Sequence, residues 1–401
     1  MNELPDPRSV HAADVYVGQT HAATLTKGPG SVQFSYLPKY LAAGGPPVAT
    51  TLPLTPQPVI THGGALPPFF TGLLPEGRRL SALRNSVKTS ADDELSLLLA
   101  VGADAIGAVS VVPAGHLPET TASPVPGELD FGELLARSGV IDRVAIPGVQ
   151  DKASLRTIAL PVTTEGSGHA IVKLSPPEYP RLVENESAML ALLSTNSARI
   201  PVTGHEVIHD VHGTAGLFIH RFDRARDSAV KHMVEDATQV MGRYPSDKYN
   251  VDFLEAAHSL AQLTPSPRLS ARNLLFQLAC AWLTGNGDLH AKNMSVLSTD
   301  GGRSFDISPL YDVPSTLPYG DNTLALPVNG KLGELSLKRL RSAGAALGLP
   351  GPAVDRVIRL ALTSTESAPQ AIIEAMNAHP RMKRDVQRVL GKRREAWIDV
   401  L

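Results

Sequence analysis

The 401-residue sequence contains one cysteine, Cys280, so no internal disulfide can staple the chain. Cys280 lies in an apolar stretch, where a buried structural thiol is expected rather than a nucleophile. Such a chain suits a reducing, intracellular compartment. Aromatic residues are scarce, at 5%, which points to an aliphatic core. Charge of one sign is not in excess either. The 37 Lys and Arg against 39 Asp and Glu leave a formal charge of −2, so no global field recruits nucleic acid or anionic membrane. Long hydrophobic runs are also missing. The longest, 96–115, approaches membrane length but contains Asp104, glycines and Pro113, and reads as a buried helix, turn and strand. The opening Met-Asn-Glu-Leu-Pro-Asp-Pro lacks a positive start and an apolar run. No signal peptide is expected, and a cytoplasmic location is.

What is present is a globular composition, 43% hydrophobic and 19% charged, with 33 glycines and 33 prolines that imply many turns. At roughly 100–200 residues per domain, the length implies more than one folding unit. Residues 1–125 read as a small α/β unit. Strands are expected at 14–18, 32–36 and 107–112, a loop over 44–68 and a helix over 73–88. A Pro/Ser/Thr-rich passage at 120–126 marks a boundary. Residues 126–235 follow, with a Gly-containing turn at 148–152, strands at 154–159, 170–174, 205–209 and 216–221, and a helix over 183–193. From 236 to 401 the pattern turns helical, most clearly at 273–283, 335–347 and 353–362. A β-rich lobe followed by a helical lobe is a division familiar from phosphotransferases, by analogy only.

The most informative stretch is Gly285-Asn286-Gly287-Asp288-Leu289-His290-Ala291-Lys292-Asn293, which follows an apolar helix. Asp288 and Asn293 have the Asp-x-x-x-x-Asn spacing of a kinase catalytic loop, where the Asp handles the attacking hydroxyl and the Asn holds Mg²⁺. Asp312, in Ser308-Pro309-Leu310-Tyr311-Asp312, stands where a second metal-holding carboxylate is needed. Lys173 sits in an apolar strand and needs a partner, which Glu186 on the next helix can supply. A strand lysine on ATP phosphates, braced by a helical Glu, is a kinase arrangement. The turn Gly148-Val149-Gln150-Asp151-Lys152 offers backbone amides and an ammonium to phosphates.

Each feature alone has a plainer explanation. The Asp–Asn spacing is common, a Gly-x-Gln-x-Lys turn is usually a hairpin, and a strand lysine usually snorkels to water. Their order along the chain is what counts, because it is the order a kinase requires. Neither a Walker A nor a Gly-x-Gly-x-x-Gly pattern occurs, so a P-loop NTPase or ordinary protein kinase is not indicated. His205, His209 and His212 read as solvated turn histidines rather than a metal site. The basic run at 381–394 reads first as a solvated helix face and second as an anion- or DNA-facing patch.

Together these residues resemble the HipA family, the kinase toxins of bacterial toxin–antitoxin modules. The resemblance covers nearly the whole chain. Its further motifs are Phe70-Thr71-Gly72-Leu73-Leu74-Pro75-Glu76-Gly77, Asn185-Glu186, Arg221-Phe222-Asp223-Arg224, and Glu235-Asp236 with Gln239. It implies a two-lobed, protein-kinase-like α/β (α+β) fold, with an extra N-terminal subdomain on a β-rich lobe and a mainly helical C-terminal lobe. It also implies an ATP- and Mg²⁺-dependent Ser/Thr protein kinase acting on an aminoacyl-tRNA synthetase, and a HipB-like helix-turn-helix antitoxin that places the complex on operator DNA. By position, Asp288 would be the catalytic base, and Asn293 and Asp312 the metal ligands. Lys173, braced by Glu186, and the loop of Gly148, Val149, Gln150 and Lys152 would bind the nucleotide, with His290 and Lys292 nearby. His220 and Phe222 would form the hinge at the adenine, and Asp223 would face the ribose. Where self-silencing members carry a serine before the loop glycine, this chain has Ala145, so silencing by autophosphorylation is not expected. Two other readings remain: an interaction protein acting mainly as co-repressor, and a kinase for a lipid or small-molecule hydroxyl.

Overall fold

The structure is a computed structural model that describes residues 5–118, 130–137, 158–164, 168–196, 198–225, 228 and 230–399. In chain order the N-terminal subdomain contains β1 (Ala12–Val17), β2 (Thr20–Gly28), β3 (Ser31–Tyr36), α1 (Pro38–Ala43), β4 (Val59–His62), α2 (Pro68–Gly72), α3 (Gly77–Val87), α4 (Glu94–Val101) and β5 (Val109–Pro113). The strands form one antiparallel sheet in the order β4-β3-β2-β1-β5. Alternation buries Val32, Phe34 and Tyr36 of β3 against Phe69, Phe70 and the leucines of α4. The expected 44–68 loop in fact contains β4, a short edge strand paired with β3. The 96–115 run is helix, turn and strand, as read from its breaks.

The middle part opens with α5 (Phe131–Arg137) and continues with β6 (Ile158–Thr164), β7 (Gly168–Leu174), α6 (Leu182–Ser194), β8 (His205–His209) and β9 (Ala215–His220). Its sheet order is β6-β7-β9-β8, all antiparallel. One face, formed by Ala170, Val172, Leu174 and Phe218, packs on Phe131 in a small separate core. Gly216 admits that ring, because a Cβ there would lie 2.6 Å from it. The other face meets α6. Of the expected 154–159 strand, only Ile158 and Ala159 fall within the described residues.

The rest comprises β10 (Met233–Asp236), α7 (Ala237–Val240), α8 (Phe253–Gln262), α9 (Pro267–Thr284), β11 (Ser295–Ser298), β12 (Asp306–Ile307), α10 (Leu337–Ala346), α11 (Gly351–Ser364), α12 (Ala368–Ala375) and α13 (Pro380–Ile398). The three short strands form a β10-β11-β12 sheet that the helical pattern did not announce. Helix α9 is buried on all sides from Leu274 to Thr284, a mostly apolar run in which the Gln277 amide donates to the Asn293 carbonyl, and α8 and α10–α13 pack around it. Cys280 lies inside this helix, buried. The large core reaches from α9 through α6 to Leu217 and Ile219 of β9, so both lobes meet in one apolar body. Among the described residues, no helix is long and apolar enough to cross a membrane.

Candidate active site

Helix α9 stops at Gly285, whose left-handed backbone (φ 71°) only glycine adopts freely, and the loop begins there. The loop then closes on itself. The Asn286 N–H donates to the Ala281 carbonyl (2.8 Å), and its Oδ1 accepts the Asp288 N–H (2.8 Å). The Asp288 carbonyl accepts the His290 N–H (2.7 Å) and the Asn293 Nδ2 (2.8 Å). Asn293 thereby spends its amide nitrogen on the loop, which leaves Oδ1 as the side-chain oxygen that could hold a cation. Asp288 is buried, and its Oδ1 accepts a hydrogen bond from the Tyr249 hydroxyl (3.1 Å). Burial, reinforced by the neighbouring Asp312 carboxylate, pushes the Asp288 carboxyl above its usual range.

Opposite the loop, Lys173 of β7 lies between two carboxylates. Its Nζ is 2.7 Å from Glu186 Oε1 on α6 and 2.8 Å from Asp312 Oδ1. Burial works against the ammonium, yet Asp312 and Glu186 hold its pKa above the ordinary lysine value. The Asn185 amide locks α6 to the segment after Asp312. It donates to the Ser315 carbonyl and accepts the Ser315 N–H, both at 2.9 Å. Asp312 itself has a left-handed backbone (φ 54°), unusual outside glycine and common where a site over-determines its geometry.

His290 is buried. Burial, then the Lys248 ammonium, lowers its pKa to about 3, so the ring is neutral at physiological pH. Its Nδ1 is buried and has no hydrogen-bond partner among the described residues. Beside His220 and Phe222 lies a cavity of about 230 Å³, also lined by His169, Gly204, Arg221 and Pro309 among others. The Phe222 ring stands 5.5 Å from that of Tyr311, centroid to centroid, which places the cavity beside the Asp312 segment. His169 Nδ1 is likewise buried, with no partner among the described residues.

The structure thus brings together Lys173, Glu186, Asp288, His290, Asn293 and Asp312, and sets His220 and Phe222 at the cavity. It does not place Asp223 or Lys292 as expected. Asp223 is buried away from the cleft. Its carboxylate accepts from Arg221 Nε (3.0 Å), Arg221 Nη2 (2.8 Å), Arg224 Nη1 (2.7 Å) and the Gly107 N–H (2.8 Å), so two flanking guanidiniums turn it toward the N-terminal subdomain. Lys292 pairs with Glu76 (2.9 Å) and donates to the Gly72 carbonyl (3.2 Å), which ties its ammonium to the N-terminal subdomain. Gly148, Val149, Gln150 and Lys152, together with Ala145, lie outside the described residues. Sequence reasoning missed Tyr249 and His169, whose roles exist only through tertiary contact. Glu76 stood in a quoted motif without a role.

Fold and site together define a member of the HipA-like family. The profile described as HipA-like C-terminal domain matches residues 144–379, over half of the chain, and that described as HipA N-terminal domain matches 13–112. The chain belongs to that family. Among its relatives is the serine/threonine-protein kinase toxin HipA of Shewanella oneidensis, 27% identical over 94% of this chain and 90% of that protein. The putative kinase Y4dM of Sinorhizobium fredii is 36% identical over 65% of each chain, a little under two-thirds of its length. A chain in the solved S. oneidensis complex of HipA, HipB and operator DNA superposes with a TM-score of 0.77 at 21% identity, covering 96% of this chain and 97% of that one. The two chains share one fold over that span.

Proposed function

We propose that this chain is an ATP- and Mg²⁺-dependent serine/threonine protein kinase that serves as the toxin of a toxin–antitoxin pair. The single observation that carries the reading is the Lys173 ammonium held between Glu186 and Asp312 across from the buried Asp288–Asn293 loop. Kinase names among the relatives support it. The residues fit the reactants. Asn293 Oδ1 and the Asp312 carboxylate would hold Mg²⁺, which takes a few protein oxygens when phosphates and water complete its shell. Bound there, Mg²⁺ would neutralise the phosphate charge that builds as the terminal phosphoryl group leaves ADP. Lys173 would steady phosphate oxygens, and His290 Nδ1 would gain a hydrogen-bond partner. Asp288 Oδ1 is fixed by Tyr249, so the carboxylate is aimed to take the proton from a serine or threonine hydroxyl as its oxygen attacks the phosphorus. The hinge cavity would take the adenine ring.

The same reading assigns the chain a helix-turn-helix antitoxin as partner, operator DNA through that antitoxin, an aminoacyl-tRNA synthetase as target and a cytoplasmic location. Residues 1–125, 126–235 and 236–401 would be the N-terminal subdomain, the nucleotide lobe and the helical lobe. A co-repressor role draws support from α13. There Arg381, Lys383, Arg384, Arg388 and Lys392 are exposed, while Arg393 and Arg394 are tied to carbonyls of the body.

The test is mass spectrometry of cell extract incubated with ATP, Mg²⁺ and either this protein or its Asp288→Asn variant. A phosphosite present only with the parent protein is expected, and a site in a tRNA synthetase would fix the target. Equal phosphopeptide maps with nucleotide binding intact would replace the kinase reading with the co-repressor one.

A further inference from the structure

The stretch Phe70–Gly77 belongs to the N-terminal subdomain, yet it ends against the catalytic loop. Glu76, at the start of α3, places Oε2 2.6 Å from Lys248 Nζ and Oε1 2.9 Å from Lys292 Nζ. Both lysine side chains are largely buried, 9% and 15% exposed, so each ammonium needs a carboxylate. We propose that Glu76 is a positioning residue, a carboxylate supplied from outside both kinase lobes that fixes the catalytic loop through these two lysines. Its consequence for activity rests on the kinase reading above.

Two routes lead from this carboxylate to the reacting groups. Lys292 is one residue before Asn293, and its ammonium is held by Glu76 and by the Gly72 carbonyl. Lys248 accepts the Ala291 N–H at its carbonyl (3.1 Å), and the next residue, Tyr249, donates to Asp288 Oδ1. Glu76 therefore grips the segment carrying the proton acceptor's hydrogen-bond donor and the segment carrying the metal-holding amide. With its charge removed, two buried ammonium groups would share a site whose next carboxylate, Asp236, is 4.0 Å from Lys292. One lysine would have to move outward to water, taking part of the loop with it.

Glu76 is not needed to seat the subdomain. Gly72 packs so closely on Gln239 that a Cβ would lie 2.8 Å from its Nε2, and that amide donates to the Phe69 carbonyl (2.9 Å). Thr50 donates twice to Glu235, and Asp104 pairs with Arg221 and Arg224. Docking is held by these contacts, which leaves the Glu76 carboxylate to the loop.

The experiment compares full-length parent, Glu76→Gln and Thr50→Ala by amide hydrogen exchange and by phosphotransfer from ATP–Mg²⁺ to cell-extract proteins. Glu76→Gln keeps the shape and loses the charge. It should speed exchange across 286–293 while β1–β5 stay protected. It should also lower the maximal rate roughly tenfold or more, since small misplacements of reacting groups cost that much. KM for ATP should stay within about threefold, the pattern of a lost transition-state interaction. Thr50→Ala should loosen 48–52 without slowing transfer. Parent-like exchange and rate in Glu76→Gln would overturn the proposal, as would an equal loss of rate in Thr50→Ala. If the parent transfers no phosphate, the kinase reading fails, and exchange at 286–293 alone decides the role of Glu76.

Discussion

Lys173 stands between Glu186 and Asp312; burial raises the Glu186 pKa to about 7 despite that ammonium, whereas at Asp312 burial is outweighed, chiefly by the Lys173 charge, and the pKa is lowered. Replacing Lys173 with methionine removes the partner of both. Removing one member of a buried ion pair costs about 3–5 kcal/mol. Lys173→Met is therefore expected to lose stability of that order in urea unfolding at neutral pH, with phosphotransfer abolished. The stability loss should shrink in acid as the stranded carboxylates take up protons, and a variant as stable as the parent at pH 7 would contradict the pairing. These residues were legible because each has a fixed place in chain order. Tyr249 was not, since its hydroxyl reaches Asp288 across 39 positions with no local pattern. Asp223 was misassigned although its sequence held a warning: Arg221 and Arg224 flank it, and a carboxylate so placed is neutralised locally before it can face a ligand.

The elements most readable in advance were those whose pattern has one solution. The C-terminal part of α9, from Leu274, is apolar on nearly every side and is buried accordingly, and β3 alternates cleanly. Strand β4 escaped because its Pro/Gly-rich setting carries no period, and only pairing with β3 makes it a strand. The basic helix α13 divides within itself. Arg393 stacks 3.7 Å above the Trp282 ring and donates to the Trp282 carbonyl (2.7 Å), whereas Arg384 faces solvent. Arg393→Met should cost about 2–4 kcal/mol, the sum of lost charged hydrogen bonds and stacking. Arg384→Met should stay within about 0.5 kcal/mol. Chemical unfolding of the two variants checks this, and equal losses would mean that the helix is held by its apolar face alone.

At the scale of the molecule, the three cores are fastened by polar contacts between parts. Glu235 illustrates the cost of one. It is 1% exposed and accepts from the Thr50 N–H (2.9 Å) and hydroxyl (2.8 Å), yet burial raises its pKa to about 7. A carboxyl whose folded pKa is raised binds its proton more tightly in the native state, so its effect is to lower stability as pH rises from about 4.5 through 7. The fall amounts to roughly 3 kcal/mol by the free energy of such a shift. Glu235→Gln should remove that fall, seen as a smaller difference in unfolding free energy between pH 5 and pH 7.5 than in the parent. An unchanged difference would assign the titration elsewhere. No such coupling could be read from sequence, because Thr50 and Glu235 meet only when the subdomain docks. Finally, the sole thiol of the chain lies within the central helix, where burial raises its pKa, so that sulfur is shielded from reagents while the core stays shut. Unlabelled and unaltered, the protein thus carries its own clock. The rate at which an aromatic disulfide colours the solution counts how often the centre of the helical lobe comes apart, with no second thiol to blur the signal.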